Sequence, residues 1–231
     1  MANQILAFIP ARSGSKGLMN KNIRPLNGLP LMAHTILCAK QSGLFSEIHV
    51  STDSQQYADI ATEYGADVPF LRPEEFATNS ASSLDTLKCV LETYAQMGKH
   101  FEISVLLQPT SPQRLPEDIT TAYELFCKKS ADSVVAVCET EHSPFWCNIL
   151  PEDRSLFNFI PEETRNKPRQ LLNQYYRING AIYIIRNDYF KQSAELYGKN
   201  SYAYIMPKER SVDIDDEMDF IIAQALMKQK K

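Results

Sequence analysis

The sequence predicts an α/β fold: a mainly parallel sheet with helices on both faces. Three observations predict it. Short apolar runs alternate with stretches of helical periodicity, glycines close several of the helices, and the connections between elements are short. Residues 5–9 form an apolar run ended by Pro10, as a buried strand would be. A polar, glycine-bearing loop follows over 11–22. Residues 31–41 carry helical spacing, with Gly43 as the stop signal. A strand is expected at 47–51, a helix at 54–64 closed by Gly65, and a strand at 68–71. A longer amphipathic helix covers 83–97 and ends at Gly98. A strongly apolar strand at 103–107, a helix at 117–128 and a strand at 133–137 complete the regular alternation.

The pattern breaks over about 139–174. Pro144, Pro151, Pro161 and Pro168 punctuate mixed charges and aromatics, which reads as an irregular insertion or arm, with short strands expected around 145–150. Strands return at 181–185 and 202–206. A last helix spans 216–227, with acids in its first turn and lysines beyond its end, as the helix dipole favours. With no internal repeat, low-complexity tract or linker, residues 1–231 read as one domain with an insertion.

Composition sets the outer limits. The 231 residues are 44% hydrophobic and 23% charged, enough to build a core without disulfides or metal. The net charge of −4 argues against broad nucleic-acid or membrane-surface binding but leaves room for a local basic pocket. Five cysteines lack any CxxC and read as free thiols of a reducing compartment. No secretory signal and no long apolar run is present, so a cytoplasmic, membrane-free protein is expected.

Ligands of such sheets bind beyond the carboxyl ends of the strands. The loop after the first strand reads PARSGSKG, then LMNKN. Its small residues allow close backbone approach to an anion, and Arg12, Lys16 and Lys21 supply three cations within ten positions. A nucleoside triphosphate is the natural guest, although neither GxxxxGK[ST] nor GxGxxG is present. After the strand at 103–107, QPTSP holds Gln108, Thr110 and Ser111 on a stiff two-proline turn. Asp213 and Asp215, two apart, share one side of an extended segment. They suit Mg²⁺, or equally helix capping with solvation. Arg169 and Arg177, in and just after the insertion, could each grip a carboxylate. The four histidines have no zinc-ligand spacing, and Ser13 and Ser15 have no histidine base nearby in the sequence.

These segments together resemble the acylneuraminate cytidylyltransferases, the CMP–sialic acid synthetase family. The resemblance is carried by IPARSGSKG (9–17), KNI (21–23), STDS (51–54), LRPEEFA (71–77), ASS (81–83), LLQPTSP (106–112), PRQ (168–170), NGAIYI (179–184) and DIDDEMD (213–219), all in family order. It implies a Rossmann-like nucleotidyltransferase domain whose inserted arm dimerises by exchange between two subunits. It also implies transfer of CMP from CTP to the anomeric hydroxyl of a nine-carbon sugar acid, with release of pyrophosphate. Carried over by motif, Arg12, Ser15, Lys16, Lys21 and Asn22 would hold and activate the CTP phosphates. Arg72 and Ser83 would contact the nucleotide, Gln108, Arg169 and Tyr183 would line the sugar pocket, and Asp213 and Asp215 would hold Mg²⁺ or another divalent cation. Asp215 is thereby counted with Arg12, Lys16 and Lys21 among the catalytic residues. Either an aspartate or a metal-bound water would accept the hydroxyl proton. N-acetylneuraminate is the favoured acceptor, with legionaminate, pseudaminate or Kdo as alternatives and a non-catalytic nucleotide-binding paralogue as the reading from another class. The chain departs from the family pattern at Met19, Asn79, Gln113 and Trp146.

Overall fold

The computed structural model describes residues 4–14, 17–78 and 81–228. Eight strands and six helices follow in chain order among them: β1 (Ile5–Pro10), β2 (Pro25–Leu26), β3 (Leu29–Pro30), α1 (Leu31–Ser42), β4 (Glu47–Ser51), α2 (Gln55–Glu63), α3 (Ser83–Gln96), β5 (Ile103–Leu106), α4 (Pro116–Lys129), β6 (Ser133–Glu139), β7 (Tyr176–Arg186), α5 (Asn187–Ser193), β8 (Ser201–Ile205) and α6 (Glu217–Lys228). Six strands form one sheet in the order β4-β1-β5-β7-β6-β8, and β2 pairs with β3 in a separate hairpin. β7 alone runs antiparallel to its neighbours in the main sheet.

The sheet is covered on both faces because alternate residues of its central strands bury in opposite directions. Ile5, Ala7 and Ile9 of β1 enter a cluster with Met32 and Ile36 of α1, Tyr57 of α2 and Phe126 of α4. Leu6 and Phe8 enter a second cluster with Leu87, Val90 and Tyr94 of α3 and Phe190 of α5. A third, smaller cluster joins Leu18, Leu26 and Leu31 to Ile214, Phe220 and Ala223. It packs α6 and the segment before it against the loop that follows β1, two parts of the chain nearly two hundred positions apart.

The alternation predicted from sequence is present, with three corrections. Residues 68–71 form no strand. His49 and Asp67 make an isolated bridge, and Pro69 then withholds the donor a ladder would need while Arg72 N donates to Thr52 O at 2.7 Å. Residues 145–150 form no strands either; Pro144–Trp146 is a 3-10 turn, and Ile149 beyond it is 90% exposed. β7 begins at Tyr176, five residues before the expected start, because its first residues pair with the end of β6. The hairpin β2–β3 and the short α5 had no periodic signal of their own.

The insertion leaves the sheet after Glu139 and rejoins it at Tyr176, which lies directly opposite in the antiparallel β6–β7 pair. Its backbone is a series of turns begun by prolines. Cys147, Arg154, Thr164 and Leu171 donate to the carbonyls of Pro144, Pro151, Pro161 and Pro168 at 2.9–3.1 Å. Gln113, one of the departures from the family pattern, is buried with neither side-chain amide atom bonded to a protein group; Asn79, another, lies outside the described residues.

One buried histidine ties stability to pH. His49 of β4 is fully buried among Phe8, Phe70 and Tyr94. The Tyr94 hydroxyl donates to Glu47 at 3.1 Å, so the ring must donate to Tyr94 from Nδ1, also at 3.1 Å, which leaves Nε2 bare and unpartnered. Burial, with Arg72 nearby, lowers its pKa from 6.5 to about 3. Between those two values the unfolded chain binds a proton that the folded chain refuses, so stability is complete above pH 6.5 and falls as pH falls toward 3. This residue contributes up to about 1.4 kcal/mol of loss per pH unit. Urea unfolding at pH 7 and pH 5 should show the loss, and His49→Phe should remove that part of the slope.

Candidate active site

The carboxyl ends of β1 and β5, the start of α3 and the segment before α6 enclose a cleft of about 700 Å³. The loop after β1 forms one wall. Its backbone first continues alongside β4, with Ala11 N donating to Ser51 O at 2.9 Å. It then turns at Ser13, whose backbone N–H and hydroxyl each donate to one carboxylate oxygen of Asp53 at 2.7 Å. Gly14 follows at φ +71, a left-handed conformation natural to glycine. Asn22 is buried and donates its side-chain N–H to Arg12 O at 3.0 Å, so its amide holds the loop from behind while also bordering the cleft. Lys21 reaches across and donates to Ile214 O at 2.6 Å and to Asp215 at 3.2 Å.

Arg72 enters from the opposite side. Its guanidinium donates to Ser51 Oγ at 3.0 Å and to Ser51 O at 2.7 Å. Burial lowers its pKa to about 10, with nearby Asp53 opposing that effect and Arg12 adding to it, so it remains a cation at neutral pH. Arg12, Lys21 and Arg72 all face the same cleft. The first turn of α3 adds Ser83 and Thr86, with Ser82 capping the helix by accepting from Asp85 N at 3.0 Å. A helix amino terminus at an anion pocket adds its own partial positive charge.

The floor is built from residues far apart in sequence. Arg114, fully buried, donates to Gln108 O at 3.3 Å, Ala181 O at 2.8 Å and Thr35 Oγ1 at 3.0 Å, and so fixes the QPTSP turn to β7 and α1. Ile214 N donates to Thr110 O at 2.9 Å, which lays the aspartate segment across that turn. Asn179 secures it from beneath by donating to Ser211 Oγ at 2.9 Å. Asp213 is half-buried. Its carboxyl is pushed up by burial and by Asp215, while Thr110, Lys21 and Arg177 act in the other direction. One of its oxygens, Oδ1, is buried without a protein partner. Asp215 is exposed at the rim.

The structure therefore brings together Arg12, Lys21, Asn22, Arg72, Ser83, Gln108, Asp213 and Asp215. Ser15 and Lys16 lie outside the described residues. Two expected residues are not on this cleft. Tyr183 packs against the second core cluster, its phenol pushed up to about 12 by burial and, to a smaller degree, by Tyr197 and Asp213. Arg169 sits in the arm, borders a separate hollow and donates to Glu141 O at 2.7 Å. Sequence reasoning missed Thr86 and the grip of Asp53 on the first loop. Thr86 follows Ser83 by three positions on a helix and so shares its face, a signal that was available. The Ser13–Asp53 contact joins two loops through the sheet order, which has no local signature.

Gly180 gives the site a steric requirement. It has φ +76, and a Cβ there would run into the Gln108 side chain and sit 3.4 Å from an Asp213 oxygen. Gly180→Ala should displace the Gln108 side chain, bring a methyl group up against Asp213 and strain the turn at once. We expect a loss of activity of about tenfold or more with a folded sheet, read by turnover together with far-UV circular dichroism.

The family model described as cytidylyltransferase matches residues 6–214. The chain is 40% identical over 230 residues to an N-acylneuraminate cytidylyltransferase of Escherichia coli, a match that covers 100% of this chain and 54% of that protein. It is also 40% identical over 227 residues to a CMP-N,N'-diacetyllegionaminic acid synthase of Legionella pneumophila, covering 97% of this chain and 96% of that protein. The chain thus spans about half the length of the first relative and nearly all of the second. Among solved structures, a CMP:2-keto-3-deoxy-manno-octonic acid synthetase complexed with CTP shares the fold, with a TM-score of 0.74 at 18% identity over 99% of this chain and 100% of that one. With the match running from β1 to the segment that carries Asp213, the chain belongs to the cytidylyltransferase family.

Proposed function

We propose that this protein transfers CMP from CTP to the anomeric hydroxyl of a nonulosonic acid, N-acetylneuraminate or a close relative, and releases pyrophosphate. The observation that carries the proposal is the meeting of Arg12, Lys21 and Arg72 with Asp213 and Asp215 in one cleft at the carboxyl ends of the strands. In-line attack of the hydroxyl on the α-phosphorus needs alignment and neutralisation of the charge growing on the leaving pyrophosphate. Arg12 and Lys21, on a loop held at Ser13 and Asn22, would hold the triphosphate and offset that charge. Arg72 and Ser83 would meet the nucleotide, and Gln108 would face the acceptor. Lys16 would add a cation to the same loop and Ser15 a phosphate contact. The activities named for the two relatives support this reading, and the match to nearly the full length of the legionaminic acid synthase favours legionaminate as the second acceptor to consider.

Asp213 and Asp215 fit a divalent cation such as Mg²⁺. Asp213 keeps a buried, unpartnered oxygen, and burial together with the neighbouring carboxylate leaves it short of positive charge. Among the described residues no group of three or more His, Cys, Asp or Glu side chains gathers as a metal site, so phosphate and water would supply the other ligands. When bound, the ion would act as a Lewis acid on the phosphates.

We further propose a homodimer formed through the arm. The arm exposes Ile149, Leu156, Phe157 and Leu171, more apolar surface than a solvated loop ordinarily carries. Exchange of arms would carry Arg169 to the partner's cleft and supply the cation that an acid acceptor requires. No helix among the described residues is long and apolar enough to cross a membrane.

A panel of sugar acids with CTP and Mg²⁺, read by pyrophosphate release, tests the reaction. Turnover of N-acetylneuraminate is expected, preference for legionaminate would select the second reading, and inactivity with every nine-carbon acid would refute the proposal. Asp215→Ala should lower turnover by about a thousandfold or more while the thermal transition is retained, since the side chain is a surface metal ligand in this reading. Near-wild-type activity at low Mg²⁺ would remove Asp215 from the metal site.

A further inference from the structure

A carboxylate beside a triphosphate pocket calls for an explanation, because it repels the ligand. Asp53 is such a group. It follows β4, the strand paired with β1, and its two oxygens accept from the backbone and hydroxyl of Ser13 at 2.7 Å each, across forty positions of sequence. Ser13 opens the turn that Gly14 completes. The same β4 exit holds Arg72 through Ser51, and Arg72 N donates to Thr52 O at 2.7 Å. Asp53 therefore touches the anion loop directly and lies beside the cation that faces it.

Charge gives a second reason for its place. Arg12 and Arg72 border one cleft, and the charge of Arg12 disfavours that of Arg72. Asp53 acts on Arg72 in the opposite sense. Burial alone would raise the Asp53 carboxyl, yet the two Ser13 bonds, its own backbone N–H and nearby Arg72 together hold the group below its ordinary value, so the anion persists at neutral pH.

We propose that Asp53 is a positioning residue, which fixes the Ser13 turn and balances the Arg12–Arg72 pair so that the cleft is formed before the nucleotide arrives. The inference rests on the reading of the cleft as a CTP site. It makes a prediction of definite sign. A bystander carboxylate would only repel the triphosphate, so its removal would tighten CTP binding. A positioning carboxylate would organise the loop, so its removal would weaken binding despite the lost repulsion.

The experiment measures CTP binding by calorimetry with Mg²⁺, together with the KM values for CTP and acceptor, in the wild type, Asp53→Ala, Asp53→Asn, Ser13→Ala and the Ser13→Ala/Asp53→Ala double variant. Asp53→Ala should weaken CTP binding by about tenfold, the loss of charge-assisted hydrogen bonds, and leave the acceptor KM within about twofold. Asp53→Asn should recover part of that loss, because the amide can still accept from Ser13 N and donate to its hydroxyl. The double variant should be no weaker than Asp53→Ala, since both changes remove one interaction. CTP binding as tight as wild type or tighter in folded Asp53→Ala, or equal rises in both KM values, would overturn the inference while leaving the CTP reading intact. If Asp53→Ala does not fold, Ser13→Ala and Asp53→Asn decide by the same signs. A wild-type chain that binds no CTP would overturn the reading and this inference with it.

Discussion

Asp118 is the buried charge on which the placement of the aspartate segment depends. It is 1% exposed, yet every face of its carboxylate is used. It accepts from Leu115 N at 2.9 Å to cap α4, from Tyr204 at 3.1 Å, and from two nitrogens of Arg210 at 2.7 and 2.9 Å. A carboxylate in that position is tolerable only when it is paired and fully hydrogen-bonded. The pairing has a geometric effect beyond its energy. It fastens the turn Lys208–Arg210 to the start of α4, so the next residues must cross the end of the sheet, where Asn179 and Thr110 receive them. Asp213 then points into the cleft. The third core cluster completes the arrangement by holding Ile214 and Phe220 against Leu18 and Leu26.

The site is thus a meeting of three loops, each fastened by a polar group, buried in the case of Asp118 and Arg114 and half-buried in the case of Asp53. Asp118 fastens the segment that carries Asp213 and Asp215, Arg114 the QPTSP turn and Asp53 the loop after β1. This division explains how a chain with a net charge of −4 presents a cationic cleft. Arg12, Lys21 and Arg72 have main-chain carbonyls, Asp53 or Asp215 among their near neighbours, while most of the acids lie on solvent-facing elements. Total charge therefore describes the outer surface and says little about the ligand.

Much of this was legible in the sequence. β1 and β5 announce themselves because both faces are buried, and the loops after them are recognisable by composition and by position in an α/β fold. The arm was legible as an interruption because prolines begin its turns, but its few short segments have too little periodicity to be told from strands. The direction of β7 was not legible. It is set by pairing with β5 and β6 at once, a choice made by the whole sheet. The same holds for the site. Arg12, Lys21 and Asp213 carry recognisable motifs, whereas the Asp53–Ser13 and Arg114–Ala181 contacts are products of strand order and have no trace in local spacing. Arg169 shows the converse: a recognisable motif whose place is set by the arm and not by the cleft.

The arm's two ends lie opposite one another, Glu139 beside Tyr176, so in topological terms it is an overgrown hairpin loop. Its length is almost independent of the sheet. Doubling such a loop adds only about 0.6 kcal/mol of closure entropy, and shortening it disturbs no parallel crossover. The part of the protein that carries Arg169 can therefore change in size and sequence while the strands that carry Arg12, Gln108 and Asp213 keep their register. The cleft and the arm are separately variable parts of one chain, and descendants of this chain could change the arm without rebuilding the cleft that the sheet holds in place.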